Sequence, residues 1–192
     1  AGGRLHATPW GRHVNEGATE WPLSPWRIQR ALVATWYLKA RDDIDEAVMR
    51  SLMNSMAGTL PSFELPTAIQ SHTRHYMPSK GGDKTKVFDT FIQTNKPLRM
   101  AWNVDLDDSQ RAALAILCER LSYLGRAESI VDAKLLPSDT YIDANSLPLP
   151  EGELVPEGCE LVRVLSPNLP EVHDAWVAAS RPQEDVKAKG KI

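Results

Sequence analysis

The sequence has few cysteines and lacks the motifs that mark the common enzyme classes. Its 192 residues include two cysteines, Cys118 and Cys159, and neither has a partner at CxxC spacing, which favours reduced thiols over a zinc site. No GxSxG, P-loop or HExxH motif is present. No apolar run approaches the length of a membrane span, and no basic and apolar leader is visible. These absences predict a cytoplasmic protein with no cofactor and no membrane segment.

Net charge is also low, at −3, but its distribution is uneven. Residues 1–100 carry 13 Lys and Arg against 9 Asp and Glu, whereas residues 101–192 carry 9 against 16. Four of the five histidines lie in the first half. A sequence pI near 6.0 argues against a nonspecific nucleic-acid coat, yet it is compatible with a local basic face in the first half.

Three stretches have apolar residues at helical spacing. Ser24 followed by Pro25 predicts a helix start, because serine caps well and proline suits the first helical position. Gly58 and Gly125 are expected helix stops. The predicted helices are 25–41, 44–57 with Asp42 or Asp43 as the cap, and one that Asp107, Asp108 and Ser109 cap and that runs to residue 124.

Strands are predicted between these helices and after them. A polar strand at 67–76, a flexible Gly-Gly turn at 78–83 and a strand at 84–94 form a hairpin. Further strands are predicted at 1–8, 98–102, 130–136 and 160–165, and a short helix at 172–179. This order predicts an α+β fold, ferredoxin-like and RRM-like, which is a common RNA-binding platform. We expect residues 1–136 to form that domain with its hairpin at 67–94, residues 137–180 to complete it as a peripheral loop, strand and short helix, and residues 181–192 to be a disordered tail or linker.

The first constellation with a chemical meaning lies between Gly2 and His13. Its basic and aromatic members interleave: Arg4, His6, Trp10, Arg12 and His13. Arginine pairs with phosphate oxygens, whereas tryptophan and histidine stack on unpaired bases. A core tryptophan with scattered surface charges is the alternative, and we favour it slightly for Trp10 taken alone. The whole cluster favours nucleic acid.

The second constellation is the hairpin. Its basic and aromatic residues are His72, Arg74, His75, Tyr76, Lys80, Lys84 and Lys86. Only Asp83 offsets them, so a basic stem that follows a phosphate backbone is favoured over a merely solvated hairpin.

Three further arginines are candidate RNA contacts. Arg27 and Arg30 lie three residues apart on the first helix and share a neighbouring face. Arg126 follows Gly125 in a turn that contacts RNA backbone or, equally well, simply ends a helix with an exposed Arg126–Glu128 pair.

An enzyme is the competing class. A metal-independent ribonuclease could use His6 or His13 with Tyr76 or Lys84 as general acid and base, but nothing in the spacing requires it. His72 and His75 could ligate a metal, but the spacing suggests no third ligand, so no metal site is expected. A plain protein-interaction module is the third interpretation.

Six segments of the chain resemble a known family. They are GRLHATPWGRHVNEG at 3–17, EWP at 20–22, SPWR at 24–27, HTRHYMP at 72–78, DKT with VFD at 83–89, and YLGRAES at 123–129. They are similar to the N-terminal half of the fused CRISPR-associated RAMP subunit of type I-G (formerly I-U) Cascade effector complexes. Together they span most of residues 3–135, and the region beyond about residue 136 adds little.

The resemblance implies a ferredoxin-like RAMP domain that grips the 5′ handle of the CRISPR guide RNA and caps the backbone filament of an antiviral ribonucleoprotein. Its partners would be the guide RNA, the backbone-filament and large subunits and, through the complex, target DNA. Because 192 residues fall short of the two-part fusion, the nuclease half is expected to be missing and the chain to be non-catalytic. The resemblance adds weight to seven of the candidate RNA contacts: Arg4, His6, Arg12, His13, Arg74, His75 and Lys84.

Overall fold

Helices and short antiparallel sheets alternate along the chain, as the α+β prediction requires. The computed structural model describes residues 3–13, 16–76, 86–172 and 175. Its strands are β1 (Arg4–Leu5), β2 (Ser62–Glu64), β3 (Ala68–Tyr76), β4 (Lys86–Thr94) and β5 (Arg99–Ala101). Its helices are α1 (Pro25–Thr35), which continues as a π-helical turn (Trp36–Ala40), α2 (Glu46–Ala57) and α3 (Asp108–Arg120).

The predicted start of α1 is confirmed. The Ser24 side-chain oxygen accepts a hydrogen bond from the backbone N–H of Arg27 at 3.3 Å, and Pro25 is the first helical residue. The π-helical end was not predicted. There the Trp36 indole N–H reaches the carbonyl of Ile44 at 2.8 Å and fastens the connection to α2.

The other two helices are shorter than predicted. α2 begins after Asp45, whose backbone is extended, and not at residue 44. α3 has a full capping box, in which the Asp107 carboxylate accepts from the backbone N–H of Gln110 and the Gln110 side chain accepts from that of Asp107. It ends at Arg120 and not at residue 124, because Leu121 is already extended.

The main sheet has the order β1-β4-β3, and both neighbours run antiparallel to β4. β1 and β3 are therefore parallel to each other, with α1 and α2 in the connection between them, which is a split βαβ arrangement. A complete ferredoxin-like sheet would add a strand after α3. Within the described residues no strand pairs with the other edge of β1, so that topology is not confirmed.

Beyond α3 the prediction of two more strands is wrong. Residue 130 forms only an isolated bridge with Tyr123, and residues 160–165 have no regular structure. The backbone of these segments bonds to other partners instead: the N–H of Val131 donates to the Ser122 carbonyl at 3.1 Å, and the Leu165 carbonyl accepts from the N–H of Trp26 at 3.2 Å. The tip of the hairpin and most of the predicted last helix lie outside the described residues, and so does residue range 181–192. The domain boundaries stay predictions.

The apolar core lies between the helices and the small β2–β5 sheet. Leu52 of α2 and Leu117 of α3 have no exposed surface, and Phe63 of β2 packs into the same cluster. None of the described helices is both long enough and apolar enough to cross a membrane.

Candidate nucleic-acid interface

His6, the first residue after β1, is an interior residue. It is 7% exposed, and its ring lies 5.1 Å from that of Phe91 on β4. Its backbone N–H donates to the buried Ser129 hydroxyl at 2.7 Å. Its Nδ1 atom lies 3.2 Å from an oxygen of Asp89. His6 therefore joins the N-terminal segment to β4 and to the turn that contains Ser129, and it presents little surface to a nucleic acid.

That turn, residues 124–129, approaches His6 closely. The backbone N–H of Arg126 donates to the His6 carbonyl at 3.1 Å, and its guanidinium lies 2.6 Å from the other oxygen of Asp89. Gly125 has a φ of +88°, and a Cβ atom there would lie 2.6 Å from the His6 carbonyl oxygen. Only glycine suits both the backbone conformation and the close approach. The sequence prediction of Gly125 as a helix stop is wrong, because α3 already ends at Arg120 and Gly125 lies in the turn that follows.

Arg27 is held by neighbours from the irregular segment before α1. Its guanidinium donates to both carboxylate oxygens of buried Glu20, at 2.8 and 2.9 Å, and to the carbonyl of Thr8 at 2.8 Å. Glu20 also accepts from the backbone N–H of Ser24 at 2.8 Å. This bidentate pair orients the segment that carries Trp10, so Arg27 has a structural role whether or not it contacts RNA.

A cleft of about 320 Å³ lies above these two networks. Aromatic rings line it from three separate parts of the chain: Trp10, Trp26 on α1 and Tyr123. Trp10 is 76% exposed, and Tyr123 is also exposed. The polar wall includes the guanidinium groups of Arg27 and Arg30 and the Glu20 carboxylate, which pairs with Arg27. Gly125 also lines the cleft.

The chemistry of this cleft suits an unpaired nucleotide. Flat rings provide stacking surfaces for a base. The Arg30 guanidinium provides forked donors for a phosphate, whereas that of Arg27 is already paired with Glu20. The Arg30 guanidinium lies 5.5 Å from the centre of the Trp26 ring, so the cation and the aromatic face are already adjacent. The volume of the cleft lies at the lower end of the range for small-molecule sites, roughly 300–1,000 Å³.

The remaining predicted contacts of the N-terminal cluster lie outside the cleft. Arg4 is exposed and its guanidinium lies 4.9 Å from the centre of the Phe91 ring. Exposed Arg12 forms an ion pair with Glu16 at 3.1 Å. The backbone N–H of His13, together with Arg12, lowers the pKa of the Glu16 carboxyl below its usual value. His13 itself is exposed.

His72 and Arg74 of the hairpin lie on the opposite face of the main sheet from His6. His72 and Arg74 are exposed on β3, opposite Thr90 and Phe88, whereas Asp89 and Phe91 alternate with those positions. For His75, Tyr76 and Lys86 the structure describes only the backbone, which pairs between β3 and β4. Lys80 and Lys84 lie outside the described residues. The sheet thus separates the described hairpin contacts from the His6 side chain.

Sequence reasoning missed Trp26 and Tyr123 as candidate contacts. A signal for Trp26 was available, because it lies four residues before Arg30 on a helix and therefore on the same face. Tyr123 had no such signal, since its place at the cleft depends on the turn at 124–129.

The comparisons with known proteins add no relative to this picture. No protein-family model, no curated protein and no solved structure matches the chain.

Proposed function

We propose that this chain binds single-stranded RNA and serves as a non-catalytic subunit of a ribonucleoprotein. The observation that carries the proposal is the convergence of Trp10, Trp26 and Tyr123 with two arginines around one cleft. Stacking of a base on an aromatic side chain contributes about 1–3 kcal/mol, and an adjacent guanidinium adds a phosphate contact. Neither needs a particular base, so the binding would depend more on strand character than on sequence.

The finer form of the proposal rests on the family resemblance. In that form the chain is the subunit of a type I-G CRISPR effector complex that grips the 5′ handle of the guide RNA and caps the backbone filament. The split βαβ arrangement is compatible with a ferredoxin-like RAMP domain, which stays part of the proposal. So do the cytoplasmic location, the neighbouring filament and large subunits, and the target DNA reached through the complex.

His6 has a supporting role in this proposal. Because it is buried against Phe91 and Asp89, it positions the N-terminal segment and does not stack on RNA. Burial of its ring also disfavours it as the general base of a ribonuclease, since a base must reach the proton that it removes.

Fluorescence anisotropy with a labelled single-stranded RNA tests the binding. We expect Trp10→Ala and Arg30→Ala each to weaken binding by about 5- to 150-fold, which corresponds to 1–3 kcal/mol. Arg30→Ala should also reduce the slope of log affinity against log salt by about 0.7. Tyr141→Ala and Arg50→Ala are matched controls, because both residues are exposed and lie outside the cleft lining. Equal effects of site and control variants would contradict the proposal.

Two further measurements test the finer form. Co-expression with guide RNA and the remaining effector subunits should give a particle that retains this chain and the guide, and Trp10→Ala should lower guide retention. Incubation of the chain alone with labelled repeat RNA should give no cleavage. Cleavage that is lost on substitution of His6 or His13 would instead support the metal-independent endoribonuclease.

A further inference from the structure

Three residues that are distant in sequence bring metal-ligating atoms together beside the turn at 124–129. They are His6, Asp89 on β4 and Glu128, and their ligand atoms all lie within 4.8 Å of one another. His6 is buried, Asp89 is half-buried and Glu128 is exposed. The cluster is thus open to solvent on the Glu128 side, by which an ion could enter.

The His6 ring nitrogen is a second, independent observation that points to a ligand at this cluster. Nδ1 is buried, and it has no hydrogen-bond partner among the described residues. It lies 3.2 Å from Asp89 Oδ2, but this contact does not have hydrogen-bond geometry. A buried polar atom in that state is costly, because it has lost its water and gained no partner. A cation between the two atoms would satisfy both.

The separation of these two atoms suits a shared metal. With metal–ligand distances of about 2.0–2.1 Å, two ligands of a tetrahedral ion lie about 3.4 Å apart. The observed 3.2 Å between Nδ1 and Oδ2 is close to this value. An oxygen of exposed Glu128 lies within 4.8 Å of both atoms and is the candidate third ligand.

Arg126 does not occupy the proposed position. It contacts the other Asp89 oxygen, Oδ1, at 2.6 Å, and lies 3.7 Å from Glu128. Ligating carboxylates are commonly held by such an outer hydrogen bond, which orients the remaining oxygen toward the metal. The Ser129 hydroxyl accepts from the His6 backbone N–H and so holds the backbone of this residue in place.

We propose that His6 Nδ1, Asp89 Oδ2 and a Glu128 oxygen bind one divalent transition-metal ion of the zinc class. One nitrogen and two carboxylate oxygens are a ligand set that such ions accept, and water would fill the fourth position. The ion would tie the N-terminal segment to β4 and to the turn that lines the cleft. The observations for this site do not depend on the proposed RNA binding, and its role is structural.

Calorimetric titration of the full chain with Zn²⁺ and Mg²⁺ tests the proposal. The chain is first stripped with a chelator, and Cys159→Ser is used as the background because the Cys159 thiol is exposed and could bind zinc by itself. We expect one equivalent of Zn²⁺ to bind, Mg²⁺ to bind far more weakly, and Zn²⁺ to raise the melting temperature.

Glu128→Gln is the informative variant, since an exposed side chain can change without unfolding the chain. It should weaken Zn²⁺ binding by about tenfold or more, whereas Glu119→Gln, an exposed glutamate on α3, should not. Asp89→Asn should weaken it further. Absence of stoichiometric Zn²⁺ binding, or equal affinities of the Glu128→Gln and Glu119→Gln variants, would overturn the site and leave His6–Asp89 as an ordinary ion pair.

Discussion

Substitution of Gly125 by alanine measures how closely the turn at 124–129 packs on the N-terminal segment. Gly125 and Gly152 have nearly equal φ values, +88° and +84°. Alanine at either position should meet the same left-handed backbone penalty, about 1–2 kcal/mol. It should also gain the same small benefit from a less flexible unfolded chain. The difference in unfolding free energy between the two variants therefore does not contain the intrinsic effect of replacing glycine by alanine.

What differs is the surroundings. At Gly152 nothing lies within 4 Å of the added Cβ, whereas at Gly125 the His6 carbonyl oxygen lies at 2.6 Å. The turn must then withdraw, which stretches the bond from Arg126 N–H to His6 and the bond from His6 N–H to Ser129. Each buried bond lost costs about 1–3 kcal/mol. We expect Gly125→Ala to cost about 1–3 kcal/mol more than Gly152→Ala.

Urea unfolding of the two variants and the parent gives this difference directly. In thermal unfolding it corresponds to roughly 2–4 °C for each kcal/mol in a chain of this size. Gly125→Ala should also weaken RNA binding, because Gly125 lines the cleft, and Gly152→Ala should not. Equal losses of stability in the two variants would refute the close approach of the turn to His6.

Three other predictions follow from single contacts. Leu117→Ala should lower the unfolding free energy by about 2–5 kcal/mol because the side chain is fully buried. Leu154→Ala, at a residue 90% exposed, should change it little. Similar values for the two variants in urea unfolding would contradict the burial of Leu117 in the core. The Ser109 hydroxyl and the backbone N–H of Gln110 lower the pKa of Asp107 below its usual 3.8, so its cap is fully stabilising above that value and is lost as the pH falls through the lowered pKa. The difference in unfolding free energy between the parent and Asp107→Asn should therefore be constant above about pH 5 and shrink in acid, and a flat difference down to pH 2 would count against it. Burial raises the pKa of the Cys118 thiol, so mass spectrometry of the folded chain treated with iodoacetamide should find Cys159 alkylated first; equal rates would be inconsistent with the fold.

Local sequence signals determined the starts of α1 and α3 and the strands of the hairpin, but not the start of α2. Ser24-Pro25 and the Asp107–Gln110 capping box act within four residues of each other, so the pattern alone specifies them. The two hairpin strands lie within two residues of their predicted bounds, because their turn connects neighbours in the chain. The predicted end of α3 and the strands predicted after it are wrong, since there the backbone bonds to partners outside those elements. The N–H of Leu124 donates to the Ser129 carbonyl, and the Leu165 carbonyl accepts from the N–H of Trp26.

The sequence also showed which residues make up the N-terminal cluster. It did not show which of their side chains are buried and which face the cleft. His6, four residues before Trp10, turns inward to Asp89 and Phe91, while Trp10 faces the cleft with Trp26 and Arg30. Which side chain is buried depends on the β1–β4 pairing and on the turn at 124–129, both formed by residues more than 80 positions away. The sequence by itself determined which groups were available for binding. The tertiary structure alone decided which of them meet, because only packing brings together side chains that the chain keeps far apart.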